Sequence, residues 1–401
     1  MLETTKTQWG KIQGIALARA FSLLGSGLTI FTLIFREQAS GPAAVALLLI
    51  VGTLPVIIFS PWAGTIADRF STRQVIPIVA VIGGSSIFLL SQDLEHWMIL
   101  ALLFIANTCA SISGPTWAKL TPLLATKDDI SRAMGTIQSY FSLAGLAGPF
   151  LAGFLVKATG YFWTFVIDAT FTVLMAFVPF IMKVNHEPEE LAEGEKSNTT
   201  EGFKFLMKSP LLRSLVILVF GLVFCVSVIN VGDIFLITRI MGGDSFIYGV
   251  VGTLFALGLL LSNILIGRTK VSQSTELKVL AAGMGILSVS GAFVGIAPNY
   301  WVVMIIWFIA GAANATINSY GVGMMIKETP HELQGRVFAA FGAVVSVASI
   351  GSMGIAGLAI EFFGVREVFV VSGIAAFAAF FILFPTVYRE QTKIIKASSA
   401  S

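Results

Sequence analysis

Apolar residues run in stretches of about 20, separated by short polar turns, along nearly the whole 401-residue chain. The runs fall approximately at 12–34, 43–63, 74–91, 97–117, 133–156, 161–183, 211–237, 246–267, 279–296, 300–326, 337–360 and 367–386. At ~1.5 Å of rise per residue, a helix of that length covers the ~30 Å of hydrocarbon in a bilayer. The pattern predicts an all-α membrane protein with twelve transmembrane helices, here called spans 1 to 12. The longest polar stretch, Asn185 to Lys208, follows span 6 and carries Glu187, Glu189, Glu190, Glu193 and Glu195. It predicts two six-helix bundles, residues 1–184 and 210–388, joined by a cytoplasmic linker at 185–209 and followed by a tail at 389–401. Within the linker, Glu201 to Met207 has the pattern of a short amphipathic helix lying on the membrane surface.

Charge placement orients these spans, because Lys and Arg collect on the cytoplasmic side of membrane proteins. The termini, the linker and alternate loops hold 20 of the 25 basic residues, whereas the opposite side holds only Arg36, Lys157, Arg239 and Arg366. Arg19 lies inside span 1. A wrong span count would scramble this alternation. Both termini are therefore expected in the cytoplasm, with the chain in a bacterial inner membrane. Sliding the sequence on itself by 204 residues brings Arg132 onto Arg336, Ala152 and Gly153 onto Ala356 and Gly357, and Gly160 onto Gly364. A doubled six-helix unit is one plan for a transporter, with the substrate path near the midplane.

Composition supports a lipid environment and removes other classes. Hydrophobic residues make up 56% and charged residues 12%, against roughly 25% charged in soluble domains. The 39 glycines suit closely packed membrane helices. The net charge of +3 is spread over short loops, so nucleic acid is not an expected partner. Cys109 and Cys225 sit in apolar runs as packing residues, and His96, His186 and His331 lack metal-ligand spacing. No nucleophile–base pair or phosphate-binding Gly-x-x-x-x-Gly-Lys-Ser/Thr loop occurs, so neither an enzyme nor an ATP-driven pump is expected, and no cofactor or metal. The first apolar run is too long for a cleavable leader and is expected to remain as span 1.

Between spans 2 and 3, Gly64, Asp68, Arg69 and Arg73 stand in the order Gly-x-x-x-Asp-Arg-x-x-x-Arg. In this position the pattern resembles the signature loop of the major facilitator superfamily. The resemblance implies a cytoplasmic lock in which Asp68 meets the positive N-terminal end of span 11, near Gly335 to Val337, with Gly64 allowing close approach. Arg69 and Arg73 would pair with lipid headgroups or with acids such as Asp128 and Asp129. The equivalent second-half loop has Gly267 and Arg268 but no Asp. In span 5, Gly145, Gly148, Pro149, Ala152 and Gly153 form a small-residue face bent at the proline. This run resembles, in part, the Gly-Pro-x-x-Gly-Gly antiporter motif of drug exporters, and so implies a hinge or outer seal favouring export. With Arg19 to Thr29, Gly114 to Trp117, Gly202 to Leu206 and Pro330 to Val337, the chain resembles the third drug:proton antiporter family over residues 12–386. That family contains macrolide-efflux-like proteins and relatives of the enterobactin exporter. Span 4 lacks the Arg that many other drug exporters carry there, having Asn107, Ser111 and Ser113 instead.

Three ionisable groups are strong candidates for a place well inside the membrane: Arg19, Asp168 and Asp233. Each must face a cavity, find a partner or change protonation, since a bare charge at mid-membrane costs about 2.5–3.5 kcal/mol on insertion scales. These are the candidates for proton coupling; the alternatives are a structural hydrogen-bonding role for Asp168, plain solvation near the outer surface for Asp233, and snorkelling to the cytoplasmic interface for Arg19. By analogy with the fold, spans 1, 4, 7 and 10 line the path, so Phe21, Asn107, Asn230, Trp307, Asn314 and Asn318 are candidates to meet cargo. Aromatic surface with few charges suits amphipathic or lipophilic molecules. The expected function is proton-coupled efflux of small amphipathic molecules by a monomer in contact with membrane lipids. Export of one physiological compound such as a siderophore, lysolipid movement, and a non-transporting membrane sensor are the alternatives.

Overall fold

The structure is a computed structural model and describes residues 6–126, 129–186, 199–269, 272–330 and 333–400. Asp128, His331 and most of the predicted linker, including Glu187 to Glu195, lie outside the described residues. The described chain is 90% helical, with no strand among the described residues. Among the described residues, twelve helices are long and apolar enough to cross a membrane. These are Trp9–Ser40, Pro42–Phe59, Thr72–Leu89, His96–Leu124, Arg132–Thr159, Tyr161–Ile181, Pro210–Ile240, Ser245–Arg268, Thr275–Ile296, Tyr300–Glu328, Gln334–Phe363 and Val365–Lys393. The helices form because hydrocarbon offers no partner to a backbone N–H or C=O, so each must be satisfied within its own segment. Large apolar side chains stay on the outside, with Phe362 79% exposed and Ile382 70%, as befits faces meeting lipid rather than water.

The chain divides into two compact units. The first comprises Met1–Ala39, Leu48–Glu195 and Asp244–Thr253, and thus includes the start of span 8. At its basic end, Ile12, Ala16, Ile76, Trp117 and Leu120 are buried together. Span 3 presses on span 6 at Gly84, where an added Cβ would lie 3.2 Å from the Ala169 carbonyl oxygen. At the opposite end the Arg36 guanidinium donates to the Leu90 and Gln92 carbonyls, 3.0 Å each. There the buried Glu37 carboxylate meets His96 Nδ1 at 2.5 Å, fastening span 1 to span 4.

The second unit comprises Ser40–Leu47, Lys196–Gly243 and Leu254–Ser401. Its core gathers Leu206, Leu212, Leu280, Met284, Val337 and Val387. Spans 8 and 10 meet backbone to backbone. A Cβ on Gly258 would collide with the Phe308 carbonyl, and one on Gly311 with the Phe255 carbonyl. The linker segment forms a helix, Thr199–Lys208, as the amphipathic pattern predicts. One face of it packs on protein. Leu206 is fully buried in the core, Gly202 rests against the Arg336 carbonyl, and Glu201 pairs with Arg336. A glycine at the contact lets the short helix sit directly on span 11, while Phe203 on the same helix stays exposed.

The 204-residue repeat has a concrete form. Ile130–Thr159 and Gln334–Phe363 are both 30-residue helices, ended by Gly160 at φ 77° and Gly364 at φ 92°. That left-handed conformation favours glycine because it has no Cβ. Gly153 packs in the first unit against Ser245 and Gly249, and its counterpart Gly357 packs in the second against Ala43 and Ala46. Spans 7 and 10 each contain a π-helical turn, at Leu236–Ile240 and Ile317–Gly321.

The glycine contacts give a direct prediction. Gly311→Ala forces a methyl group into the Phe255 carbonyl, and overpacking of this kind costs about 1–3 kcal/mol. Gly342→Ala, whose added Cβ meets nothing within 4 Å, serves as the control. In detergent, the first variant is expected to melt below wild type and the second at or above it.

Candidate functional site

The loop after span 2 is held by partners that differ from those the motif suggests. Asp68 forms an ion pair with Lys119, at the end of the His96–Ala118 helix. Arg69 is the exposed last residue of the Pro42–Arg69 helix. Arg73 turns to span 6, not to the loop after span 4. Its Nε donates to the Val184 carbonyl at 3.2 Å, its backbone N–H donates to Asn185 Oδ1 at 3.2 Å, and its guanidinium faces the Phe180 ring. Asp129 is not its partner, being occupied by the Thr7 hydroxyl at 2.5 Å and the Thr126 hydroxyl at 3.3 Å. Gly64 is not a close-approach glycine in this structure, because a Cβ there would meet nothing within 4 Å.

The small-residue run of span 5 is wedged between two neighbours inside the first unit. Gly148 faces Gly27 of span 1, with an added Cβ 3.7 Å from the Gly27 Cα. Gly153 and Pro149 face the start of span 8. A Cβ on Gly249 would strike the Pro149 carbonyl, and the Ser245 hydroxyl donates to the Gly153 carbonyl at 3.2 Å. Beside this contact, Lys157 and Asp244 form an ion pair at 2.7 Å. Partial burial pushes the Asp244 carboxyl up. Hydrogen bonds from Lys157 and from the Ile247 and Phe246 backbones, with the Lys157 charge, outweigh that and hold it below its usual range.

Asp168 is fully buried between spans 6 and 1. It fits there because Gly25 has no side chain, and an added Cβ would overlap its carboxyl group. It accepts hydrogen bonds from Thr29 at 2.5 Å and Thr172 at 3.2 Å. Together with Thr29, Asn107, Gly148 and Pro149 it lines a cavity of about 450 Å³ within the first unit. Asn107 also donates to the Leu103 carbonyl at 3.0 Å. Phe21 is not among the residues lining this cavity, since its ring packs on Phe171 of span 6 at 5.2 Å. Arg19 lies over the Phe141 ring at 4.8 Å, and no carboxylate pairs with it among the described residues.

The other candidates converge within the second unit. Asn230, Trp307, Asn314 and Asn318 line one cavity of about 360 Å³, together with Ser227, Ser288, Phe255 and Phe341. Asn318 donates to Asn314 Oδ1 at 2.8 Å. Leu215, Val219, Leu222 and Met325 supply an apolar wall. Asp233 stands one turn beyond Asn230 on span 7, and the Trp307 indole N–H faces its carboxyl group. Neither Asp233 Oδ1 nor Trp307 Nε1 completes a hydrogen bond of good geometry, although both atoms are buried. The two membrane carboxyls thus differ in kind. Asp168 is clasped by two hydroxyls, while Asp233 keeps an open oxygen beside an open donor.

Sequence reasoning passed over Thr29, Thr172, Lys119 and Phe255. Thr29 and Asp168 are 139 residues apart, and nothing local marks them as partners.

Comparison with known proteins completes the picture. A solved structure of a POT peptide transporter superposes with a TM-score of 0.76 at 11% identity, covering 95% of each chain. The chain therefore shares that transporter's fold. A family model described as transmembrane secretion effector matches residues 30–400, and the chain belongs to that family of the major facilitator superfamily. The uncharacterized MFS-type transporter YfiS of Bacillus subtilis (strain 168) is 26% identical over 363 residues, 86% of this chain and 85% of that protein. Macrolide efflux protein A of Streptococcus pyogenes is 22% identical over 378 residues, 90% of this chain and 92% of that protein.

Two outcomes are expected from this geometry. Thr29→Val removes a donor from a buried acid, which costs about 1–3 kcal/mol, and should lower the melting temperature of the purified protein. For the exposed Asp244–Lys157 pair, the folded-state value is lowered. Its contribution is therefore present above the ordinary Asp range and is lost as pH falls through the lowered value. The melting-temperature gap between wild type and Asp244→Asn should narrow as the solution is made acid.

Proposed function

We propose that this chain is a proton-coupled exporter of small amphipathic molecules, working as a monomer by alternating access in a bacterial inner membrane with both termini in the cytoplasm. The carrying observation is the cavity of the second unit. Three amide side chains and an indole line it together with aliphatic residues, and no Lys or Arg among the described residues lines it. Such a lining suits a molecule with an apolar body and hydrogen-bonding groups, and disfavours a polyanion. Asp233 is read as the proton site, because its Oδ1 is buried and has no hydrogen bond, which disfavours the charged form. Asp168 is assigned the structural part, since two hydroxyl donors and a glycine-made niche hold it. The likeness to a macrolide efflux protein supports outward transport and makes a macrolide the first compound to try. The glycine and proline run of span 5, packed on spans 1 and 8, supports a seal that opens and closes as a unit.

The test is flux in proteoliposomes with an imposed proton gradient of either sign, using a compound panel that includes a macrolide. Wild type is expected to move at least one amphipathic compound against its gradient only when protons flow the other way. Asp233→Asn should lower that flux by about tenfold or more, equivalent to ~1.4 kcal/mol in the coupled step, while the protein still reaches the membrane. Unaltered flux with an unaltered dependence on the gradient would remove Asp233 from the mechanism.

A further inference from the structure

The cavity and the proton site share one residue. Trp307 is the fourth wall of the cavity beside Asn230, Asn314 and Phe255, and its indole N–H is also what faces Asp233. Its ring meets Phe255 of span 8 edge to face, with centroids 6.0 Å apart and planes at 83°. Asn314 follows it by seven residues, two helical turns, so both look from span 10 in the same direction. We propose that Trp307 is the positioning residue that reads the charge on Asp233 and passes it to the cavity wall. This inference rests on the reading of Asp233 as the proton carrier.

The physical argument concerns two orphaned atoms. Asp233 Oδ1 and Trp307 Nε1 are both buried and both lack a finished hydrogen bond. Leaving either one so is unfavourable, and more so when the acceptor is charged. An ionised Asp233 therefore draws the indole N–H into a closed, charge-assisted bond. A neutral Asp233 carries its own O–H, and the bond can slacken. The indole is rigid, so closing the bond at Nε1 moves the ring edge that touches Phe255 and borders the cavity. No charged side chain hydrogen-bonds Asp233 Oδ1 among the described residues. On span 7, Arg239 lies over Phe235 at 4.8 Å. On span 12, which packs on Gly232 through Phe369, Arg366 donates to the Gly295 carbonyl at 3.1 Å, and Glu367 is exposed beside Gly364. Glu361 of span 11 is exposed, and Tyr300, Lys327 and Glu328 sit at the two ends of span 10. Glu276 and Lys278 belong to the first turns of span 9, at its basic end.

The experiment uses the full chain in phospholipid nanodiscs, with nitrogen-15 in the indole rings of its 7 tryptophans and a 4-fluoro label on Phe255. Trp307→Phe identifies the Trp307 resonance by its disappearance. Infrared pH-difference spectra, with and without Asp233→Asn, identify the Asp233 carboxyl band. The expected result is that the Trp307 indole signal moves with pH at the midpoint of that band, and that the fluorine signal at Phe255 follows it. Both movements should vanish in Asp233→Asn, and the fluorine movement in Trp307→Phe. A Trp307 signal that stays fixed while the Asp233 band titrates overturns the inference and leaves the proton-carrier reading intact. A Phe255 signal that stays fixed while Trp307 moves overturns the link to the cavity. If Asp233→Asn removes no titrating band, the proton-carrier reading fails first.

Discussion

Backbone approaching backbone at glycine is the contact on which this architecture depends. Between lipid-soaked helices there is no hydrophobic force to bring them together, because the solvent is as greasy as the side chains. What remains is close packing, and it is strongest where no side chain intervenes. Gly258 and Gly311 do this between spans 8 and 10, Gly153 and Gly249 between spans 5 and 8, and Gly25 between spans 1 and 6. Each opens a space that a single methyl group would fill. The cavities depend on these contacts, since Trp307 and Phe255 face each other at 6.0 Å only because their helices touch at Gly311.

The same tightness explains how two acids of one type come to differ. At Asp168 the helices close around the carboxyl group, and two threonine hydroxyls complete its hydrogen bonds. At Asp233 an indole stands near without bonding, and a cavity lies beyond it. A polar group fully paired in a low-dielectric interior resists change, whereas one that is partly paired has somewhere to go. The distinction lies in the surroundings and not in the residue.

Much of the fold was legible because the bilayer itself writes the rule. Hydrocarbon thickness fixes span length, so twelve apolar runs became twelve helices, and the repeat marked by Gly160 and Gly364 returned as two matched helix ends. Partners were not legible, because they come from distant spans. Asp68 went to Lys119, Arg73 to the end of span 6, and Phe21 to Phe171. Four of the six residues proposed to meet cargo did gather in one cavity, since amides are rare on greasy helices and seldom sit there without a polar neighbour. Asn107 of span 4 lines the first unit's cavity instead, a placement that a wheel of single helices does not reveal.

The π-helical turn at Ile317–Gly321 carries a consequence for how span 10 is laid out. One extra residue in a turn offsets everything after it by about 100° from a continuous α-helical projection. Val322 and Met325, just beyond the turn, line the cavity with Asn314 and Asn318 before and within it. The turn also acts as a slack loop in the winding. Losing one residue there would let the helix relax to ordinary α geometry with both flanks still in phase, whereas the same deletion a few turns earlier would rotate Trp307 away from Asn314.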